Sequence, residues 1–180
     1  MKRILFLVFW ITMLAGAPAL VAGPQPLSPE LQKLDISAGK WIYHGKTMPS
    51  ATNKGGSWTW NADCRWSANM VFLECSFTND WAGKIVKSLV VDTYNSEDHT
   101  YWHYEMFATG ARGDKPFVSK MAIHGNTWIE YGQEAARGKK IGERIVYRWL
   151  SPTRVSVAIE ISRDGVHWLT VDQGEGLKQQ

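Results

Sequence analysis

The chain has 180 residues, 44% of them hydrophobic and 21% charged, which is enough for one domain with a sizeable core. Its formal charge of +3 falls to a net +1 once Lys2 and Arg3 are set aside with a leader, leaving 18 basic side chains against 17 acidic. A balance so near zero argues against a protein that finds nucleic acid or a membrane surface by bulk charge.

Lys2 and Arg3 precede an apolar run from Ile4 to Val21 that ends in small residues, the layout of a secretory signal peptide. Cleavage is placed after Ala22, with Ala19 the alternative. That leaves residues 23–180 as one domain, secreted or periplasmic and free of the membrane. The competing reading is an uncleaved anchor, since the run approaches the roughly 20 residues that span a bilayer. Residues 23–30, "GPQPLSPE", read as a linker, and Ser28 followed by Pro29 caps a short helix.

Helical periodicity then vanishes. Short alternating runs broken by Gly, Asn, Asp and Pro predict ten strands near 39–46, 56–66, 70–79, 84–94, 99–108, 116–124, 126–133, 141–150, 153–162 and 166–174. Gly125-Asn126 and Asp164-Gly165 are two-residue hairpin signals. Ten hairpin-linked strands make an up-and-down meander, and closing it into an antiparallel β-barrel removes the edges an open sheet would have to protect. Only the loop at 46–55 is long enough to act as a lid. The basic run Arg137 to Lys140 reads as a solvated hairpin loop.

Within the second strand Trp58, Trp60, Ala62, Cys64 and Trp66 share one face, and Thr59, Asn61 and Arg65 the other. A hairpin turning around Asn69 and Met70 sets Cys64 opposite Cys75, Ala62 opposite Phe77 and Trp66 opposite Leu73. Directly opposed residues lie within disulfide range, and an exported chain permits the bond. A metal pair or two free thiols are the other readings; the spacing fits no zinc pattern. On the ninth strand Val155, Val157, Ile159 and Ile161 form the inward face, with Arg154 and Glu160 outside. On the eighth, Ile141, Ile145, Tyr147 and Trp149 share a face that Glu143 interrupts.

The fifth strand, "HTYWHYEMF" from 99 to 107, is the densest polar-aromatic stretch. Tyr101, His103 and Glu105 share one face; Trp102, Tyr104 and Met106 share the other. If the first set faces inward, His103 and Glu105 form an acid–base or metal-binding pair over the cavity. The apolar content favours the reverse, with Trp102, Tyr104 and Met106 in the core.

Gly39-Lys40-Trp41, opening the first strand after a short helix, resembles the G-x-W signature of lipocalins. Ser162, Asp164, Gly165, Trp168, Glu175, Gly176 and Lys178 resemble the C-terminal pattern of an exported bacterial family of unknown function with a lipocalin-like (calycin) barrel. That resemblance implies a barrel whose end Trp41 plugs, with a cation from the last strand across its ring. Lys178 is the candidate where lipocalins usually have Arg. Some related barrels hold haem through a His near the chain's end, and His167 stands in that region; it also follows a turn, where a solvated His is ordinary.

No nucleotide loop, nucleophile elbow or zinc-protease motif is present. No catalytic residue, metal or cofactor is predicted. The expected function is binding of a small apolar ligand in an aromatic-lined cavity, with Trp58, Trp60, Trp66, Tyr101, His103 and Glu105 as candidate binding residues. The alternatives are an enzyme using His103 and Glu105 in the same cavity, and a barrel that meets a protein partner through its surface.

Overall fold

The alternation across Gly56–Trp66 is realised as the sequence predicts: Trp58, Trp60, Ala62 and Cys64 are buried, while Asn61 and Arg65 are exposed. The structure, a computed structural model, describes residues 26–50, 54–108, 116–136 and 139–180, without the side chains of 133–136 and 139–141. The leader and its cleavage site, the tip of the 46–55 loop and residues 137–138 of the basic run lie outside the described residues; Lys139 and Lys140, expected in a loop, open a strand.

A short helix, α1 (Pro29–Gln32), runs into a 3₁₀ turn at Lys33–Ser37. The Ser28 hydroxyl accepts the Leu31 N–H at its start, as a capping serine should. Ten strands follow: β1 (Gly39–Thr47), β2 (Gly56–Trp66), β3 (Leu73–Trp81), β4 (Lys84–Asn95), β5 (Thr100–Phe107), β6 (Phe117–His124), β7 (Thr127–Ala136), β8 (Lys139–Ser151), β9 (Arg154–Ser162) and β10 (Leu169–Lys178). Each pairs antiparallel with the next, and β10 pairs back onto β1, so the barrel is closed and up-and-down.

The β2–β3 register is the predicted one, with Cys64 opposite Cys75 and the two joined in a disulfide at a Cα separation of 4.0 Å. β3 begins three residues later than expected because 70–72 serve the turn. Met70 takes a left-handed φ of 56°, and the Ser67 hydroxyl accepts the Phe72 N–H. β10 also starts late. The Asp164 carboxylate accepts the N–H groups of Val166 and His167, and the Ser162 hydroxyl accepts that of Gly165. The Asp-Gly pair therefore sits in a longer loop rather than a two-residue turn, and the Ser-x-Asp-Gly pattern is the device that builds it. Gly125-Asn126 is the two-residue turn expected, joining β6 to β7.

One end of the barrel is plugged. Leu31 and Leu34 are buried there beneath Trp41, whose indole N–H donates to the Ser37 carbonyl at 2.9 Å. Trp149 meets Trp41 edge-on at 5.4 Å, and Trp128 meets Trp149 at 5.0 Å. The Lys178 ammonium lies 5.4 Å from the Trp41 ring centre and donates to the Ile36 carbonyl. Gly39 has a φ of 111°, and a Cβ there would come within 2.8 Å of the Lys178 side chain, so glycine and lysine occupy one another's space.

Several face assignments need correction. Trp66 is half-buried at the plugged rim, where its N–H donates to Asp35. Ile159 is half-buried because it borders the cavity described below, and Glu160 because it pairs with Arg144 at 2.6 Å. Thr59, expected outside, is half-buried and hydrogen-bonded to His44. The largest reversal is on β5. Tyr101 and His103 are buried, whereas Met106 is 41% exposed and Trp102 and Tyr104 pack against each other on the outer surface under Lys120. Apolar content fails there because the neighbouring strands supply the interior charges that make a buried His103 tolerable.

Candidate functional site

Alternation along β4 to β8 sends a polar residue inward from each strand: Ser88 and Asp92, His103 and Glu105, Ser119, Glu130 and Glu143. All but Glu105 are buried, and such groups persist only when hydrogen-bonded or charge-matched. Register provides the matching. His103 sits directly between Asp92 on β4 and Ser119 on β6, and the His103 Nδ1–H donates to Asp92 Oδ1 at 2.8 Å. Its Nε2 lies 3.6 Å from Glu130 Oε1, which also accepts the Ser119 hydroxyl at 2.7 Å. The Ser88 hydroxyl donates to Glu105 at 2.7 Å.

Burial by itself would lower the proton affinity of His103. The charge of Glu130, then the charge and hydrogen bond of Asp92, then Glu105, outweigh it and push the imidazole up to about 10. The ring is therefore an imidazolium at neutral pH. Glu130 is pushed upward by burial, against the opposing pull of His103 and the Ser119 hydrogen bond. Burial also raises the Tyr147 phenol, which stays protonated as a donor.

His103, Glu105, Glu130, Glu143 and Tyr147 form the floor of an interior cavity of about 240 Å³ whose walls are aromatic and aliphatic: Trp60, Phe77, Trp81, Phe107, Phe117 and Ile159. The cavity lies toward the end of the barrel opposite α1. A smaller space of about 50 Å³ lies beyond His103 and Glu130 toward Trp128 and Trp149, so that pair partitions the barrel. Three residues that line the cavity each carry a buried polar atom with no hydrogen-bond partner: Trp60 Nε1, Asn79 Oδ1 and Glu130 Oε2. Buried groups of this kind are uncommon in folded proteins, and each costs about 1–3 kcal/mol unless water or a ligand satisfies it.

Of the candidate binding residues, Trp60, His103 and Glu105 line this cavity. Trp58 is buried behind Trp60, stacked on it at 4.2 Å and pressed against Gly45 and Gly174. Tyr101 reaches the plugged end and donates to the Glu30 carbonyl, and Trp66 is at the same rim. His103 and Glu105 do not pair with each other; their bonds go to Asp92 and Ser88. His167 is on the exposed β9–β10 loop, bonded to Asp164, away from the cavity. Among the described residues no three His, Cys, Asp or Glu side chains are grouped to hold a metal ion.

Asp92, Ser119 and Glu130 did not stand out in the sequence. The signal was an acid at the same parity as core residues: Asp92 two past Val90, Glu130 two past Trp128. Glu143 showed it as the interruption of its apolar face.

No protein-family model matches the chain, and no curated protein matches it. Among solved structures it is similar to one described as the crystal structure of Rv2717c from M. tuberculosis, with a TM-score of 0.59. The two share 13% sequence identity over 86% of this chain and 100% of that one. At that identity the likeness shows the barrel fold and transfers no residue role.

Proposed function

We propose that this barrel binds a small organic molecule whose apolar body lies against Trp60, Phe77, Trp81 and Phe117 and whose polar end meets the floor at Glu105 and Glu130. The observation that carries this reading is an interior cavity of about 240 Å³ with aromatic and aliphatic walls above a floor that includes His103, Glu105 and Glu130. That volume lies just below the roughly 300–1,000 Å³ of pockets for drug-sized ligands, so the occupant is small. The enzyme reading is weaker. A general base works best with a proton affinity near the working pH, and His103 is held as an imidazolium up to about 10. Export rests on the layout of Lys2 to Ala22 and is supported by the Cys64–Cys75 disulfide, a bond rare in reducing compartments.

Native mass spectrometry of protein purified from its own host tests the binding reading. A small-molecule adduct is expected, reduced by Trp60→Ala and unchanged by Trp102→Ala. An adduct-free spectrum together with no uptake of an apolar fluorescent probe would overturn it. The mass of the exported protein, expected to start at Gly23, tests the leader.

A second reading has one observation in its favour. Leu89, Met106 and Val118 are exposed side by side on the outer wall of β4–β6, with Ile85 nearby. Contiguous exposed apolar residues suit a protein partner; sedimentation of the purified protein at rising concentration would show self-association through them.

A further inference from the structure

We infer that the cavity end of the barrel docks on an anionic lipid surface, with exposed apolar side chains among the acyl chains and a set of unpaired cations against the headgroups. Such docking is independent of what the cavity holds.

Topology decides which groups share that end. In an up-and-down barrel the β1–β2, β3–β4, β5–β6, β7–β8 and β9–β10 connections all lie opposite the end that α1 plugs. Among the described residues there, Lys46, Lys54, Lys84, Lys87 and Arg163 are exposed, and none has an ion-pair partner. The carboxylates described at the same end, outside the cavity, are engaged. Asp164 is bonded to His167 at 2.7 Å, Asp80 accepts the Gly83 N–H, Glu160 pairs with Arg144, and Asp172 is buried. The plugged end is mixed, with Lys33, Lys40 and Arg65 exposed beside Asp35, Glu97 and Asp98. A net charge near zero over the chain therefore hides an excess of positive charge at the cavity end.

Exposed apolar residues scattered singly are ordinary; here they gather where the cations are. Val166 and Leu169, in and just after the β9–β10 loop, are 73% and 65% exposed, and Ile85, Met106 and Val118 stand exposed near the ends of β4, β5 and β6. Aliphatic side chains carried on turns and strand ends suit a deformable hydrocarbon layer, and lysine stems reach from that layer to headgroup phosphates. Each cation close to an anionic surface gains about fivefold in affinity. A second copy meeting this one end to end would set the five cations against their own images, so like charge opposes it. Trp81, Phe107 and Phe117 bound their strands at the same end and line the cavity, so docking brings the apolar interior next to the acyl chains.

Flotation of the protein, purified from its own host, with vesicles of phosphatidylcholine alone and of an equal mixture with phosphatidylglycerol tests this docking. Binding to the mixed vesicles is expected to be at least about tenfold the tighter, and high salt should remove most of that preference. Lys84→Glu combined with Lys87→Glu should weaken binding to the mixed vesicles by at least about tenfold. Val166→Ser combined with Leu169→Ser should weaken it by a similar factor, through lost apolar burial. Val71→Ser combined with Phe72→Ser, a like apolar loss at the plugged end, should change nothing. All six positions are exposed, so the fold is kept. No binding to the mixed vesicles overturns the lipid assignment, as does equal binding to both kinds of vesicle or an equal loss from the changes at Val71 and Phe72. None of these outcomes bears on the small-molecule adduct that tests the cavity.

Discussion

Strands β2 and β5 carry the same alternation and bury opposite kinds of residue. β2 turns Trp58 and Trp60 inward and Asn61 and Arg65 to water. β5 turns His103 inward and leaves Met106 41% exposed. The period of two sorts side chains into faces in both strands. It does not say which face is inside; the neighbouring strands decide that. β2 is flanked by Tyr43 and Phe77, apolar company for its indoles, and β5 by Asp92 and Ser119, a cradle for an imidazolium.

The comparison breaks most sharply at His103. His103→Gln removes the cation and leaves Asp92, Glu105 and Glu130 facing one another, an expected loss of about 3–5 kcal/mol in urea unfolding at neutral pH. Trp60→Ala on β2 should cost a similar amount, about 3–5 kcal/mol, through a cavity instead of a charge. A His103→Gln cost below about 1 kcal/mol would mean that the charge cluster does not hold this wall.

Acidity separates the two causes. The proton affinity of His103 is about 10 in the fold against an ordinary 6.5, so its stabilisation is complete below 6.5 and is lost as pH rises through about 10. Glu130, also raised, works in the same direction, since its proton too is held more tightly in the fold. The thermal midpoint of the native protein should therefore fall steadily from neutral pH toward 10. Trp60→Ala should keep that slope, and His103→Gln should flatten it. A wild-type profile that is level or rising over this range would contradict an imidazolium in the core.

How much was legible follows from the same contrast. Strand number, closure, the β2–β3 register and the disulfide could all be read, because indoles, thiols and turn residues act locally and point one way. The plugged end was legible too, through Gly39, Trp41 and Lys178. The buried polar cluster was not, because its members come from β4, β5, β6, β7 and β8 and have meaning only when register brings them together. Glu130 alone in "TWIEYGQ" looks like an exposed acid; beside His103 and Ser119 it is part of the interior.

Smaller effects sharpen the β2 side. Reducing Cys64–Cys75 opens a short loop, and the chain-entropy account gives a loss of about 3 kcal/mol, read as a lower urea midpoint in reductant. Gly45→Ala should cost about 1–3 kcal/mol by overpacking, since its Cβ would fall 2.0 Å from the Trp58 indole, which cannot yield because Gly174 and Trp60 hold it from the other sides. A neutral Gly45→Ala in the same urea assay would show that Trp58 has another place to go.

The smallest expected effect tests the outer side of β5. Met106 pairs with Leu89 across strands, and both are 41% exposed, so neither contributes much burial to the fold. Met106→Thr keeps a side chain suited to a strand and removes an apolar tip from water. Its unfolding free energy should stay within about 0.5 kcal/mol of wild type, as surface substitutions usually do. The same change made inside, at Val90 directly across from Cys75 of the disulfide, should cost several times more, because Val90 is 3% exposed and packs in the core. If Met106→Thr costs as much as Val90→Thr at low protein concentration, the face of β5 is assigned the wrong way round. If its cost appears only as concentration rises, the residue is covered by another chain, and the outer wall of β4–β6 is an interface.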